Sequence, residues 1–129
     1  MVKVILPGLL LLFGLGCHKA QKTADENPAI WQKIKIDFRR LDENGLTGPD
    51  GGKVSVHYEF CIPRAEKNWE EVHSIDHTAV KYDTGSGRAG CDKTQWLIIG
   101  DTRQRNYKRV LYNLAALPYV NLIEETFWE

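Results

Sequence analysis

Val54-Ser55-Val56-His57-Tyr58-Glu59-Phe60-Cys61-Ile62 is the stretch that decides the fold. Val54, Val56, Tyr58, Phe60 and Ile62 alternate with Ser55, His57, Glu59 and Cys61, the period-two pattern of a strand with one buried face. Pro63 stops this strand and suits the first turn of a helix. Ala65, Trp69 and Val72 then fall at helical spacing, with Glu66, Lys67, Glu70 and Glu71 turned outward, which predicts a helix over 64–75. Thr78, Val80 and Tyr82 suggest a weak strand, followed by a glycine-rich turn over 85–90 and a strand over 94–101. Tyr107, Val110, Leu111 and Leu114 mark the buried stripe of a second helix over 106–117, with Asn106 at its N-cap. Pro118 ends that helix, and 119–128 reads as a last strand. Upstream, Ile34, Ile36 and Phe38 alternate with Lys33, Lys35, Asp37 and Arg39 as an additional strand. The Gly-, Asp- and Asn-rich segment 42–52 reads as a loop.

After the first strand the order is strand, helix, strand, strand, helix, strand. This predicts an α+β domain with the ferredoxin-like split βαβ sandwich, both helices covering one face of an antiparallel sheet. Val54–Ile62 then lies between two neighbours, so the extra N-terminal strand is expected at a sheet edge.

Residues 1–17 follow another logic. Lys3 is the single early charge, Val4 to Leu15 form an apolar run broken by Pro7 and Gly8, and Gly14 and Gly16 lead to Cys17. A spanning helix needs about 20 apolar residues, more than this run supplies, so a removed signal core fits better. The segment resembles the signal of a bacterial lipoprotein, with Gly14 where that family usually carries Leu and Leu15 one position later. The resemblance implies cleavage of 1–16, acylation of Cys17, a lipidated tether over 17–29 and one domain over 30–129. His18 after the cysteine implies, by the same resemblance, the outer membrane, facing the periplasm.

With Cys17 taken by lipid, Cys61 and Cys91 remain, and in an extracytoplasmic domain two thiols are most simply a disulfide. Setting Cys61 opposite Cys91 places Tyr58 against Thr94, Val56 against Trp96 and Val54 against Ile98 on the helix-covered side. His57, Glu59, Gln95, Leu97 and Ile99 then occupy the other face. Leu97 and Ile99 are apolar there, with Ile123 and Phe127 expected to join them. Either they form a partner surface or the N-terminal strand or tether folds over them.

Lys plus Arg equals Asp plus Glu at 17 each, with no charged block. Nothing in that balance steers the domain to nucleic acid or anionic lipid. Gly85-Ser86-Gly87-Arg88-Ala89-Gly90 has the spacing of a dinucleotide fingerprint but runs into Cys91, Asp92 and a strand, without the helix that holds pyrophosphate. It reads as a hairpin loop in which Gly85, Gly87 and Arg88 offer at most an anion site. His73 and His77 lie four apart, but the helix is expected to end near Ile75 and no third ligand is evident. His57 beside Glu59 is the nearest thing to an acid–base couple. No cofactor and no catalytic set emerges. The expected role is a membrane-tethered, non-enzymatic domain that binds an envelope protein, or a second copy of itself, through His57, Glu59, Leu97 and Ile99. A small-ligand or metal-binding lipoprotein using His57, His73, His77 or the Arg88 loop is the alternative, and an envelope hydrolase the third reading.

Overall fold

The deciding stretch does not run as one strand. In the computed structural model, which describes residues 26–127, it breaks at Val56. The elements are α1 (Pro28–Trp31), β1 (Ile34–Lys35), a 3-10 turn (Phe38–Arg40), β2 (Leu46–Thr47), β3 (Val54–Ser55), β4 (His57–Pro63), α2 (Glu66–Ile75), β5 (Val80–Tyr82), β6 (Gln95–Asp101), α3 (Tyr107–Ala115) and β7 (Ile123–Thr126). The architecture is mixed α+β. A five-stranded sheet has the order β1-β7-β4-β6-β5, and β2 and β3 form a separate two-stranded sheet. β1 runs parallel to β7, while the other neighbours are antiparallel.

Thr102 causes the break. Its hydroxyl accepts from the Val56 amide at 2.9 Å and its own amide donates to the Val56 carbonyl at 2.9 Å. Both backbone groups of Val56 are thus satisfied outside the ladder, as burial requires. The same hydroxyl donates to the Gly45 carbonyl at 2.6 Å, which pins the small hairpin to the main sheet. The expected loop over 42–52 therefore contains a paired strand, β2.

The expected register also shifts. Tyr58 lies opposite Gly100 and Cys61 opposite Leu97, six residues from the pairing that set Tyr58 against Thr94. Side chains alternate with period two, so an even displacement leaves every residue on its expected face. Tyr58, Phe60, Ile62 and Ile98 point to the helices and are fully buried with Val72 of α2 and Leu111 and Leu114 of α3. Tyr107, Leu111, Leu114 and Ala115 form the apolar stripe that seats α3. Burying each large apolar side chain contributes about 1.5–3 kcal/mol.

Several ends differ from expectation. Pro63 closes β4 and does not open α2, which begins at Glu66 after Ala65. Asn106 occupies the N-cap of α3 in the left-handed region (φ 51°), and its side chain makes no capping bond. The last strand is confined to Ile123–Thr126. The N-terminal strand does lie at the sheet edge but is short, because Asp37 accepts from the Arg39 amide at 3.0 Å and the chain winds into the 3-10 turn. The folded chain also takes in residues 26–29, assigned above to the tether. Asn27 caps α1 by accepting from the Ala29 amide at 2.9 Å, and its own amide donates to the Tyr112 hydroxyl at 2.8 Å. Trp31 packs on Tyr112 with ring centroids 5.0 Å apart. Lys33 donates to the Ala115 and Val120 carbonyls at 2.8 and 2.9 Å, satisfying one acceptor in the last turn of α3 and one beyond it.

Candidate functional site

On the face away from the helices, Glu59, Leu97 and Ile99 are expected to be open. They are instead buried, at 2%, 7% and 9% exposure. Among the described residues the cover is the glycine loop over 83–94 and not the N-terminal strand, which lies at the far edge beside β7; residues 17–25 of the expected tether lie outside the described residues. A Cys61–Cys91 disulfide with a Cα separation of 5.4 Å fastens it. The Ala89 amide donates to Glu59 Oε2 at 2.9 Å, and the Thr126 hydroxyl donates to Oε1 at 2.9 Å. Gly87 makes this approach possible. Its φ is +61°, and a Cβ there would lie 2.1 Å from Glu59 Oε2. The loop's contact with an anion in this structure is with the chain's own Glu59 carboxylate, beside Gly87 and held by the Ala89 amide. Arg88 lies over the Phe127 ring at 4.8 Å. The loop opens no helix: the Cys91 amide donates to the Ser86 carbonyl at 2.9 Å and the chain turns into β6. Ile123 joins the helix-side core and so adds nothing to this face, while Phe127 stays 55% exposed.

What stays open lies beyond the loop. A groove of about 360 Å³ is lined by His57, Val80, Tyr82, Ile99, Asp101 and Arg103, together with Thr78 and Gly100. Val80 and Tyr82 pair with Ile99 and Leu97 and are 51% and 41% exposed. β5 is an edge strand, with no partner on its outer side among the described residues. His57 Nε2 sits 3.3 Å from Asp101 Oδ2, and Asp101 Oδ1 accepts from the Arg103 amide at 2.8 Å. Of the expected face, His57 and Ile99 therefore reach the groove, and Glu59 is turned to the loop instead of forming a couple with His57.

Behind the sheet, toward the helices, lies a polar cluster that the periodicity argument missed. Asp76 is fully buried; Oδ2 accepts from the Tyr58 hydroxyl at 2.5 Å, and Oδ1 accepts from the Thr78 amide and hydroxyl at 2.9 and 2.6 Å. Gln104 donates to Asp76 Oδ1 and the Tyr58 oxygen, both at 3.1 Å, and to the Asp101 carbonyl at 2.8 Å. Burial, then the adjacent Asp76 charge and hydrogen bond, hold the Tyr58 phenol well above its ordinary pKa. Gly100 leaves the room: a Cβ there would lie 2.5 Å from Tyr58 Cε1 and 2.7 Å from Asp76 Oδ2. With Thr78 donating to Asp76, the cluster presents no spare nucleophile. It is a satisfied internal brace. Two local signals announce it, the Asp76-His77-Thr78 turn chemistry and a glycine inside an apolar strand.

His73 and His77 are exposed and their rings meet edge to face at 5.9 Å although α2 ends at Ile75. Among the described residues no group of three His, Cys, Asp or Glu could hold a metal ion. Cys17 and residues 1–16 lie outside the described residues. Comparison of the chain with protein-family models, curated proteins and solved structures finds no match.

Proposed function

We propose that the chain is an extracytoplasmic lipoprotein, tethered through acylated Cys17 to the outer membrane after loss of residues 1–16, whose domain binds another envelope protein. We further read its core as a ferredoxin-like split βαβ sandwich with an added edge strand. The order β7-β4-β6-β5, with α2 following β4 and α3 following β6, supports that reading.

The observation carrying the binding role is the pairing of exposed Val80 and Tyr82 on an edge strand that flanks the His57–Asp101 groove. An unpaired edge presents free N–H and C=O groups, and alternate side chains facing one groove supply selectivity. The occupant we propose is an extended segment of the partner that adds to β5, with apolar side chains over Val80 and Tyr82. A photo-crosslinker at Tyr82 in the living cell is expected to give one discrete adduct, lost in Val80→Lys, while a crosslinker at exposed Glu66 gives none. Absence of an adduct, or equal adducts at both positions, overturns the reading, and an adduct of twice the chain mass makes the partner a second copy. Intact mass of the same protein before and after reduction reports acylation at Cys17 separately.

A further inference from the structure

The equal count of positive and negative residues conceals a local asymmetry. Arg103, Arg105, Lys108 and Arg109 follow one another through the β6–α3 connection and the first turn of α3, and all four are exposed. They line two adjoining hollows that share Asn106 and Glu43. The opposing charges there are Glu43 and Glu26, and only Glu26 forms an ion pair, to Arg109 at 2.7 Å. Among the described residues no carboxylate comes within ion-pair distance of Arg103, Arg105 or Lys108. The Lys108 ammonium instead lies 5.6 Å over the Phe38 ring.

Glu26 is also where the described chain begins, so the segment leading from Cys17 arrives at the rim of this basic surface. Nine peptide units separate Cys17 from Glu26. Fully extended, they span at most about 30 Å. A lipid on Cys17 therefore keeps Glu26, at the rim of the patch, within about three Debye lengths of the bilayer, each Debye length being about 10 Å at 0.1 M salt. Basic residues held that close to anionic headgroups are attracted to them, and an acyl anchor gains from such a second signal. Among the described residues no helix is long and apolar enough to cross a membrane, so this contact is one of surface charge.

We propose that Arg103, Arg105, Lys108 and Arg109 form a docking patch for the anionic phospholipid headgroups of the bilayer that carries the tether. The patch lays the β6–α3 end of the domain against the membrane. Its geometry rests on the tethered reading above.

The test uses the purified full chain with vesicles of phosphatidylcholine alone or with a third phosphatidylglycerol, reading acylation of Lys108 by a soluble amine reagent. The patch predicts at least fivefold slower labelling of Lys108 with phosphatidylglycerol, relieved by 0.5 M NaCl, with exposed Lys67 unchanged. Arg103→Glu with Arg105→Glu is expected to abolish the difference. Equal Lys108 rates in both vesicles overturn the proposal. Intact mass of the same sample separates the two ideas: acylated Cys17 without protection sinks the patch alone, and protection without acylation sinks the tether alone.

Discussion

On the helix side of the sheet, Tyr58, Phe60 and Ile62 meet Leu111 and Leu114 over a continuous apolar layer in which each side chain is fully buried. On the other side the cover is a loop over 83–94, fastened by one disulfide, one carboxylate and one glycine. Area holds the first face, and area is divided among many residues. The second is held by a few directional contacts, and the loss of any one of them is felt across the loop. The helix side therefore sets whether the chain folds, and the loop side sets which parts of the sheet solvent or a partner can reach.

Phe60→Ala probes the first face most severely. Removing a fully buried phenyl from β4 is expected to cost about 3–5 kcal/mol in urea unfolding, and a loss below about 1 kcal/mol would mean that area is not what holds this side. Cys61→Ser with Cys91→Ser releases a crosslink of sequence separation 30, costing about 3 kcal/mol. Hydrogen exchange should quicken first at Leu97 and Ile99 and not at Leu111. Uniform acceleration over both faces would erase the distinction drawn here. Gly87→Ala forces a left-handed alanine against Glu59, at a cost of about 2 kcal/mol. Its signature is loss of protection at the Ala89 amide with the α3 amides unchanged.

Tyr58→Phe has the smallest effect, about 1–2 kcal/mol, because it removes the hydrogen bond to Asp76 and the one accepted from Gln104 while keeping the ring in the core. It carries a pH signature as well. Folding raises the Tyr58 pKa, whereas the unfolded phenol ionises near its ordinary value of 10.0. The contribution is thus complete below that pH and lost as pH rises above it. The wild-type chain is expected to lose stability on titration past pH 10, and Tyr58→Phe to lose less, as read by thermal melts across that range. Identical slopes would remove Tyr58 as the cause.

Much of the helix side was legible. Alternation through β4 and the spacing of Leu111 and Leu114 report local geometry directly, and the Cys61–Cys91 pairing matches what the cysteine count predicts for an oxidising compartment. The register did not follow, because Cys91 does not end a straight extension of β6. Residues 83–94 fold back over the sheet, so a half-cystine close to β6 in sequence bonds across the face to β4. The break at Val56 was equally hidden, since its partner Thr102 is 46 residues away. Glu59 looked like a solvent-facing acid because alternation reports the face of a residue and not what covers that face. Gly100 was the readable exception: a glycine inside an apolar strand signals close approach, here by Tyr58 and Asp76. The basic patch was obscured by averaging, because whole-chain charge carries no information on where the charges gather.

The placement of β1 has a mechanical consequence. A pull on the chain ahead of Glu26 meets α1 on Tyr112, then Lys33 at the end of α3, then two residue pairs between β1 and β7. That route carries load through the sheet's outermost strand and bypasses the β4–β6 ladder, with its seven paired positions. Force would strip the amino-terminal strap first and leave the disulfide-closed remainder intact, so the domain would yield at its leash while keeping its body.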